Sequence, residues 1–191
     1  MKTRDSAQRR FVAPLLVLLL AGCASDDVYF EPNMDFGSLQ TVAILPFQNL
    51  SGKEEAGERL RNTFMSMLLA TGAVYVLPPG EVARGLGKIS RMPPSGPSTE
   101  QIKELGGILG VDALITGVVK EYGSVRSGAT SANVISLSLQ MVEVGDGMVV
   151  WSASSTKGGV TMRDRLIGGG GEPMDTVAVK AVNELLDKLF R

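Results

Sequence analysis

The chain has 191 residues, 44% of them hydrophobic, which is the size and composition of one globular domain and a tail. Its 19 basic and 20 acidic residues give a net charge of -1, which disfavours nucleic-acid binding because that needs a basic surface. There is no histidine, the commonest general base and metal ligand, and the single cysteine excludes an intrachain disulfide or a thiolate metal cluster. We therefore expect no cofactor, no metal site and no enzymatic activity.

The N-terminus has the pattern of an export signal. Residues 1–10 carry four basic side chains and one acidic side chain, and residues 11–20 form an apolar run interrupted only by Pro14. As a helix, such a run spans about 15 Å, roughly half of a bilayer's hydrocarbon core. The pattern predicts a cleaved signal peptide over residues 1–22 rather than a transmembrane helix. The alternative is a buried helix.

The apolar run ends in a tetrapeptide that resembles the lipobox of bacterial lipoproteins: Leu20, Ala21, Gly22 and Cys23. The resemblance implies cleavage before Cys23 and attachment of palmitate-type acyl chains to its sulfur and to the new amine. Each buried CH₂ contributes about 0.8 kcal/mol, so three chains anchor the protein to a membrane essentially permanently. Ala24, rather than an aspartate, follows the cysteine, which by the same resemblance favours the periplasmic face of the outer membrane, with the inner membrane as the alternative.

Residues 23–40 are polar and rich in turn formers, which predicts a lipid anchor and a flexible tether without a core of its own. Fully extended, this tether would reach about 50 to 60 Å. The predicted periplasmic domain covers residues 41–191. It opens with the apolar run Thr41–Phe47, which predicts a strand covered on both faces, and Pro46 is expected to end that strand.

Two helices are predicted from capping signals. Ser51 and Glu54 have the spacing of a capping box before a helix that runs to about Thr71 and is ended by Gly72. Its apolar stripe comprises Ala56, Leu60, Phe64, Met67 and Leu68. Ser98 and Gln101 repeat this spacing before a helix that is expected to end at Gly110. Between the two we expect a strand over residues 73–77, a short helix over residues 81–86 and a surface loop over residues 90–98.

The second half of the domain reads as three strands and a helix. Residues 111–122 predict a third strand, and residues 124–131 a polar turn. The strand over residues 134–144 alternates, so that one face is predicted to be buried: Ile135, Leu137, Leu139 and Met141. A hairpin turn at residues 145–147 leads to a fifth strand with Trp151, read as a sheet-packing residue rather than a ligand platform. After an irregular segment, a last helix begins at Pro173.

The order of these elements predicts a mixed α/β fold. Early βαβ crossovers and a late antiparallel meander give one mixed β-sheet of about five strands with helices packed on it.

Three segments resemble the superfamily of bacterial lipoproteins that comprises the curli-secretion lipoprotein (CsgG) family, LpoB-type activators of penicillin-binding proteins and TolB-N-terminal-like domains. They are residues 42–52, residues 109–128 and residues 142–151. The secretion channel of that superfamily adds two long membrane hairpins per subunit. The intervals here, near residues 122–134 and 156–172, are too short, because each hairpin needs two strands of about 9 to 11 residues. The resemblance therefore implies the periplasmic domain without its own barrel.

Two other motifs are better explained by local structure. Gly52-Lys53 lacks the glycine and the hydroxyl residue of a phosphate-binding loop, and the glycine run 168–171 is more typical of a flexible loop than of an anion site.

The sequence favours a non-enzymatic scaffold, assembly or regulatory component of a cell-envelope complex. Its expected partners are the membrane, through the lipid, and envelope proteins or further copies of the chain. The alternative is a periplasmic binding module for a small molecule, glycan or peptide, which would need a concave pocket. A third hypothesis is hydrolysis by a serine with a lysine or carboxylate as its base.

Overall fold

The computed structural model describes residues 27–89, 97–128, 130–160 and 171–191. It contains a seven-stranded mixed sheet with four α-helices, which confirms the mixed α/β fold. The strands are β1 (Val28–Phe30), β2 (Thr41–Ile44), β3 (Gln48–Asn49), β4 (Tyr75–Val76), β5 (Ala113–Ser127), β6 (Thr130–Glu143) and β7 (Val149–Gly158). The helices are α1 (Ala56–Thr71), α2 (Pro79–Leu86), α3 (Thr99–Leu109) and α4 (Met174–Leu189).

The sheet has a parallel half and an antiparallel half. Its strand order is β1-β7-β6-β5-β2-β4, and β3 continues the line of β2 along β5. β4, β2, β3 and β5 are parallel neighbours, joined by helical crossovers. β5, β6, β7 and β1 are antiparallel neighbours. The predicted βαβ start and late meander are both present.

Helices cover the two faces of the sheet unequally. α1 and α4 pack on one face along with the buried side chains of β6, and this cluster holds Phe64, Leu137 and Trp151. α2 and α3 pack on the other face, against β2 and β5, in a smaller cluster around Leu105 and Leu114. Apart from Val142 and Val149, which pack in the smaller cluster, the second face of β6 and β7 is not covered by any helix of the described part of the chain. We call it the open face.

The segment predicted as a flexible tether is partly ordered, which corrects the prediction for residues 28–40. β1 pairs antiparallel with β7, and Val28 lies opposite Ala153. Leu39, just before β2, is buried in the core. β1 and β3 bring the predicted five strands to seven. Both are short strands whose pairing depends on the edge of a neighbouring long strand.

The capping signals were right for one helix and wrong for the other. α3 has the predicted capping box, in which the Ser98 hydroxyl accepts from the Gln101 amide and the Gln101 side chain accepts from the Ser98 amide. α1 begins only at Ala56, without a side-chain cap. Before it, the Asn49 side chain donates to the Lys53 carbonyl at 2.5 Å and accepts from the Ser51 amide and hydroxyl. This Asn-centred turn replaces the predicted box.

The predicted polar turn over residues 124–131 is wrong. β5 continues to Ser127, β6 begins at Thr130, and these two residues pair directly. The paired ends of β5 and β6 form a two-stranded ribbon. This β5–β6 ribbon extends past the rest of the sheet, because β7 stops pairing with β6 at Val134. The predicted loop over residues 90–96 and the segment 161–170 lie outside the described residues. None of the described helices is long and apolar enough to cross a membrane.

Candidate functional site

The residues predicted for lipid attachment, Leu20 to Cys23, lie outside the described residues, so the lipidation site stays a prediction. The first described residues already belong to the sheet. Asp27 accepts a hydrogen bond from the Ser154 amide through its carbonyl oxygen, and Val28 begins β1. Only residues 24–26 separate the predicted lipidated cysteine from this point of attachment.

The molecule has two distinct ends along its strands. β1 enters the sheet from the end where the β5–β6 ribbon protrudes, since β1 and β6 run in the same direction. The N-terminal turns of α1 and α4 lie there too, where Lys53, Met174 and Tyr122 line one hollow. We call this the ribbon end. At the opposite end, which we call the distal end, β2 begins and α1 and α4 finish.

An apolar surface lies at the distal end around Phe190. The Phe190 side chain follows α4 and is 49% exposed. It borders two adjoining hollows, one containing Met67 of α1 and the other containing Phe36 and Val74. These four residues, all partly or largely exposed, define the distal apolar surface. A half-exposed ring beside apolar hollows is a usual component of protein interfaces.

A groove of about 730 Å³ runs along the open face. Its walls come from the segment after β2 that includes β3, from the start of α3, from β5 and β6, and from the β6–β7 turn with the start of β7. The lining residues include Leu50, Ile102, Thr116, Val118 and Gln140. No charged residue of the described chain lines it. Such a volume is in the range of small-ligand sites, and the neutral lining suits an uncharged ligand better than a phosphate or a metal ion.

The open face continues from the groove as pairs of hydroxyl groups. Ser138 and Ser154 lie opposite each other with their oxygens 2.7 Å apart. Ser136 and Thr156 form a second pair at 2.9 Å. Gln140 and Ser152 are the next cross-strand pair. This face is polar but uncharged, and it could contact a glycan or another protein without burying an unpaired charge.

A polar cluster joins α4 to β7 on the opposite face. Glu184 accepts hydrogen bonds from the Ser155 hydroxyl and from Lys157, whose Nζ lies 2.9 Å from its carboxylate. The Lys188 Nζ donates to the Ser154 carbonyl at 2.8 Å and lies 3.4 Å from the same carboxylate. Lys188 is only 6% exposed. Burial raises the pKa of Glu184, but the bonds from Ser155 and Lys157 and the charge of Lys188 outweigh it, so the net pKa is lowered.

This cluster brings a serine, a carboxylate and a lysine together, as the hydrolytic hypothesis requires. Ser155, however, is 2% exposed and points at α4. A substrate could not reach its oxygen, and Lys188 bonds to a main-chain carbonyl rather than to that serine. The arrangement therefore ties α4 to the sheet and does not form a nucleophile site. Across the described ranges, no group of three or more potential metal-ligand side chains comes together.

Trp151 lies in its predicted packing position and is fully buried. The groove was not predicted, because its walls are far apart in the sequence. Lys188 was not predicted either, and it occupies the apolar face of α4. A lysine at the spacing of a buried stripe, with an acid four residues before it, is the signal that could have identified the cluster.

No family model matches the chain, and no curated protein matches it in sequence. Its fold is shared by solved structures of low identity. The PelC dodecamer from Paraburkholderia phytofirmans aligns with 17% identity and a TM-score of 0.56, covering 84% of this chain and 95% of that chain. Lipoprotein GNA1162 from Neisseria meningitidis aligns with 19% identity and a TM-score of 0.52, covering 78% of this chain and 99% of its own.

The LpoB C-terminal domain from Escherichia coli shows a weaker similarity, with 10% identity and a TM-score of 0.48 over 75% of this chain and 93% of that chain. The resemblance to the curli-secretion and TolB-N-terminal-like families stays a prediction.

Proposed function

We propose that this protein is a bacterial lipoprotein, cleaved after Gly22 and lipidated at Cys23, on the periplasmic face of the outer membrane. The lipobox-like tetrapeptide, the short apolar run before it and Ala24 after it support this proposal. The shared fold with a lipoprotein, GNA1162, is consistent with it.

The lipid anchor is tested by mass spectrometry of the protein purified from envelopes. We expect a mature chain that begins at Cys23 and carries acyl chains. Replacing Cys23→Ser should leave the precursor uncleaved and remove the protein from the membrane fraction. Normal processing and fractionation of that variant would contradict the assignment.

We further propose that the domain is a non-enzymatic scaffold whose copies assemble through the distal apolar surface. The observation that carries this proposal is the half-exposed Phe190 beside apolar hollows, at the end of the molecule opposite the ribbon. A second copy could cover this ring and remove it from water, which is worth about 25 cal/mol per Å² of apolar area. PelC, which has the same fold, was crystallised as a dodecamer, so the fold is compatible with assembly of many copies.

A photo-reactive amino acid at position 190 tests this in cells. We expect crosslinks between copies of the chain, and we expect Phe190→Ser to lower the mass of the detergent-solubilised particle measured by light scattering. The matched control places the same photo-reactive group at Glu81, an exposed position of α2 on the other face of the sheet. A monomeric particle with no self-crosslink from position 190 would refute the assembly proposal.

The groove supports a second candidate function, the binding of an uncharged glycan or peptide. Its volume and neutral lining favour this alternative. Thr116→Arg would place a long charged side chain in the groove. We expect that variant to lose binding to an immobilised panel of neutral oligosaccharides and peptides, whereas Phe190→Ser should retain it. Equal binding by both variants, or none by the wild-type protein, would dismiss a ligand site there.

A further inference from the structure

The end of the β5–β6 ribbon extends farther past Val28 than the short segment between Val28 and Cys23 can span. Val28 lies level with Leu139, because each is paired with Ala153. Thr130, at the end of the ribbon, lies nine residues before Leu139 on β6. At about 3.4 Å per residue, the ribbon ends about 30 Å beyond Val28.

The sheet's twist shortens this projection without reversing the conclusion. β1 and β6 are two strands apart, and neighbouring strands are rotated by about 20 to 25°, so the two directions differ by about 45°. The ribbon then extends about 21 Å past Val28 along the direction of β1, from the same rise per residue.

The chain between Val28 and Cys23 is shorter than that. Five residues span at most about 18 Å even when fully extended. If Cys23 carries the lipid, its sulfur lies at the membrane surface, and Val28 cannot be farther from that surface than this length. The ribbon end therefore comes to the headgroup layer whenever the strands point toward the membrane.

The composition of the ribbon suits that position. Between Tyr122 and Val142 the sequence has no acidic residue, and Arg126 is the only charged one. Arg126 is exposed, and Val125 beside it is 40% exposed. The remaining side chains of the ribbon are small and largely hydroxylated. Glu54 and Glu55 line a hollow beside Ser124, but no acidic residue lies on the protruding part of the ribbon around Arg126. An exposed arginine there favours contact with phosphate headgroups, and one exposed valine favours surface contact rather than insertion.

We propose that the β5–β6 ribbon, through Val125 and Arg126, rests on the lipid headgroups and holds the domain upright, with the distal apolar surface facing the periplasm. This inference rests on the proposed lipidation of Cys23. It adds a second membrane contact, made by the folded domain itself.

Tryptophan quenching by lipids measures this contact. The full-length lipidated protein carrying Val125→Trp is reconstituted into vesicles of phosphatidylethanolamine and phosphatidylglycerol that contain a brominated lipid. We expect a blue shift and loss of most of the added emission relative to vesicles without the brominated lipid. Tyr75→Trp, an exposed residue on the distal edge strand, is the matched control and should keep its emission. The native Trp151 is buried in all variants and gives a constant background.

Two further variants distinguish contact with lipid from cover by protein and from poor folding of the first variant. Insertion of about ten Gly/Ser residues before Asp27 lengthens the reach by up to about 35 Å, and it should restore the emission of Val125→Trp. Ser131→Trp, on the paired strand, repeats the measurement should the first variant fold poorly. Blue-shifted emission insensitive to the brominated lipid means that protein covers the ribbon, which overturns the inference. Unquenched emission from protein shown by mass spectrometry to be lipidated also overturns it, yet leaves the anchor intact, whereas unlipidated protein refutes the proposed function itself.

Discussion

Replacing Glu184→Gln tests what the polar cluster between α4 and β7 contributes. The glutamine keeps an oxygen that can accept from the Ser155 hydroxyl, and it removes the negative charge. Lys188 then remains nine-tenths buried, with its bond to the Ser154 carbonyl but without a neighbouring carboxylate. The surface partner, Lys157, loses an ion pair of small value, because its side chain is 36% exposed.

The expected loss in the free energy of unfolding is about 2 kcal/mol. Breaking a buried ion pair costs about 3–5 kcal/mol. Glu184 is 31% exposed, and Lys188 keeps one acceptor, so water and the carbonyl compensate part of that cost. With a typical slope of about 2 kcal/mol per molar urea, the unfolding midpoint should fall by about 1 M.

Urea unfolding followed by the fluorescence of the buried Trp151 measures this change. The pKa of Glu184 is lowered in the folded protein, because hydrogen bonds from Ser155 and Lys157 outweigh the effect of burial. A lowered pKa means that the stabilisation is present above the ordinary value of 4.5 and is lost as the pH falls through the folded value. The difference between wild type and Glu184→Gln should therefore be full at pH 7 and shrink in acid.

A double-mutant cycle identifies the cause. If the cost arises from leaving the Lys188 charge uncompensated, then Lys188→Met combined with Glu184→Gln should be less destabilised than the sum of the two single variants. We expect a coupling of about 1–2 kcal/mol. Unchanged stability in Glu184→Gln, or additive effects in the double variant, would refute this account of the cluster.

Four other substitutions test local features. Gly158→Ala places a methyl group at a φ of 88° against a backbone oxygen of β6, and should lower the free energy of unfolding in urea by about 3 kcal/mol. Gly159→Ala is its control and should lower that free energy by about 1–2 kcal/mol, because a φ of 90° is strained there but the space is open. Ser98→Ala removes the cap of α3 and should lower the unfolding free energy by about 1 kcal/mol. Asn49→Ala opens the turn before α1, so the Ser51 amide should exchange hydrogen faster while global unfolding changes little.

The parts of the fold that were predicted correctly have strong local patterns. The alternation through β6 identified its buried face, since a strand side chain repeats its direction every two residues. Gly72 and Gly110 end their helices with a positive φ, as a left-handed residue after a helix requires. Ser98 and Gln101 form their capping box, and the Ser98 hydroxyl also donates to the Glu100 carboxylate within the same turn.

The errors arose where tertiary contacts override local pattern. Val28–Phe30 is too short for a period to be visible, and its strand exists because the edge of β7 was free to pair. By composition, Ser124 and Ser131 predict a turn. Ser124 instead lies on β5 and Ser131 on β6, and these two strands pair with each other, so that the two hydroxyl groups are in contact. Ser51 and Glu54 have the spacing of a capping box, but the Ser51 hydroxyl donates to the Asn49 side chain in the turn before α1.

The candidate site was less predictable than the fold. The groove combines a loop, a helix start and two strands, and only the three-dimensional pairing of β5 with β6 brings Thr116 beside Gln140. The exposure of Phe190 depends on which neighbours surround the last turn of α4, and the sequence does not specify them.

The attachment of the chain through β1 has a mechanical consequence. If Cys23 carries the proposed lipid, a pull on it would reach the sheet through β1, the first described strand. The main-chain bonds between β1 and β7 lie across the axis of β1, so they would share a load along that axis together instead of opening one after another. Pulling β1 out of the sheet would require all of these bonds to break together in shear, so this short edge strand resists a force applied along its axis.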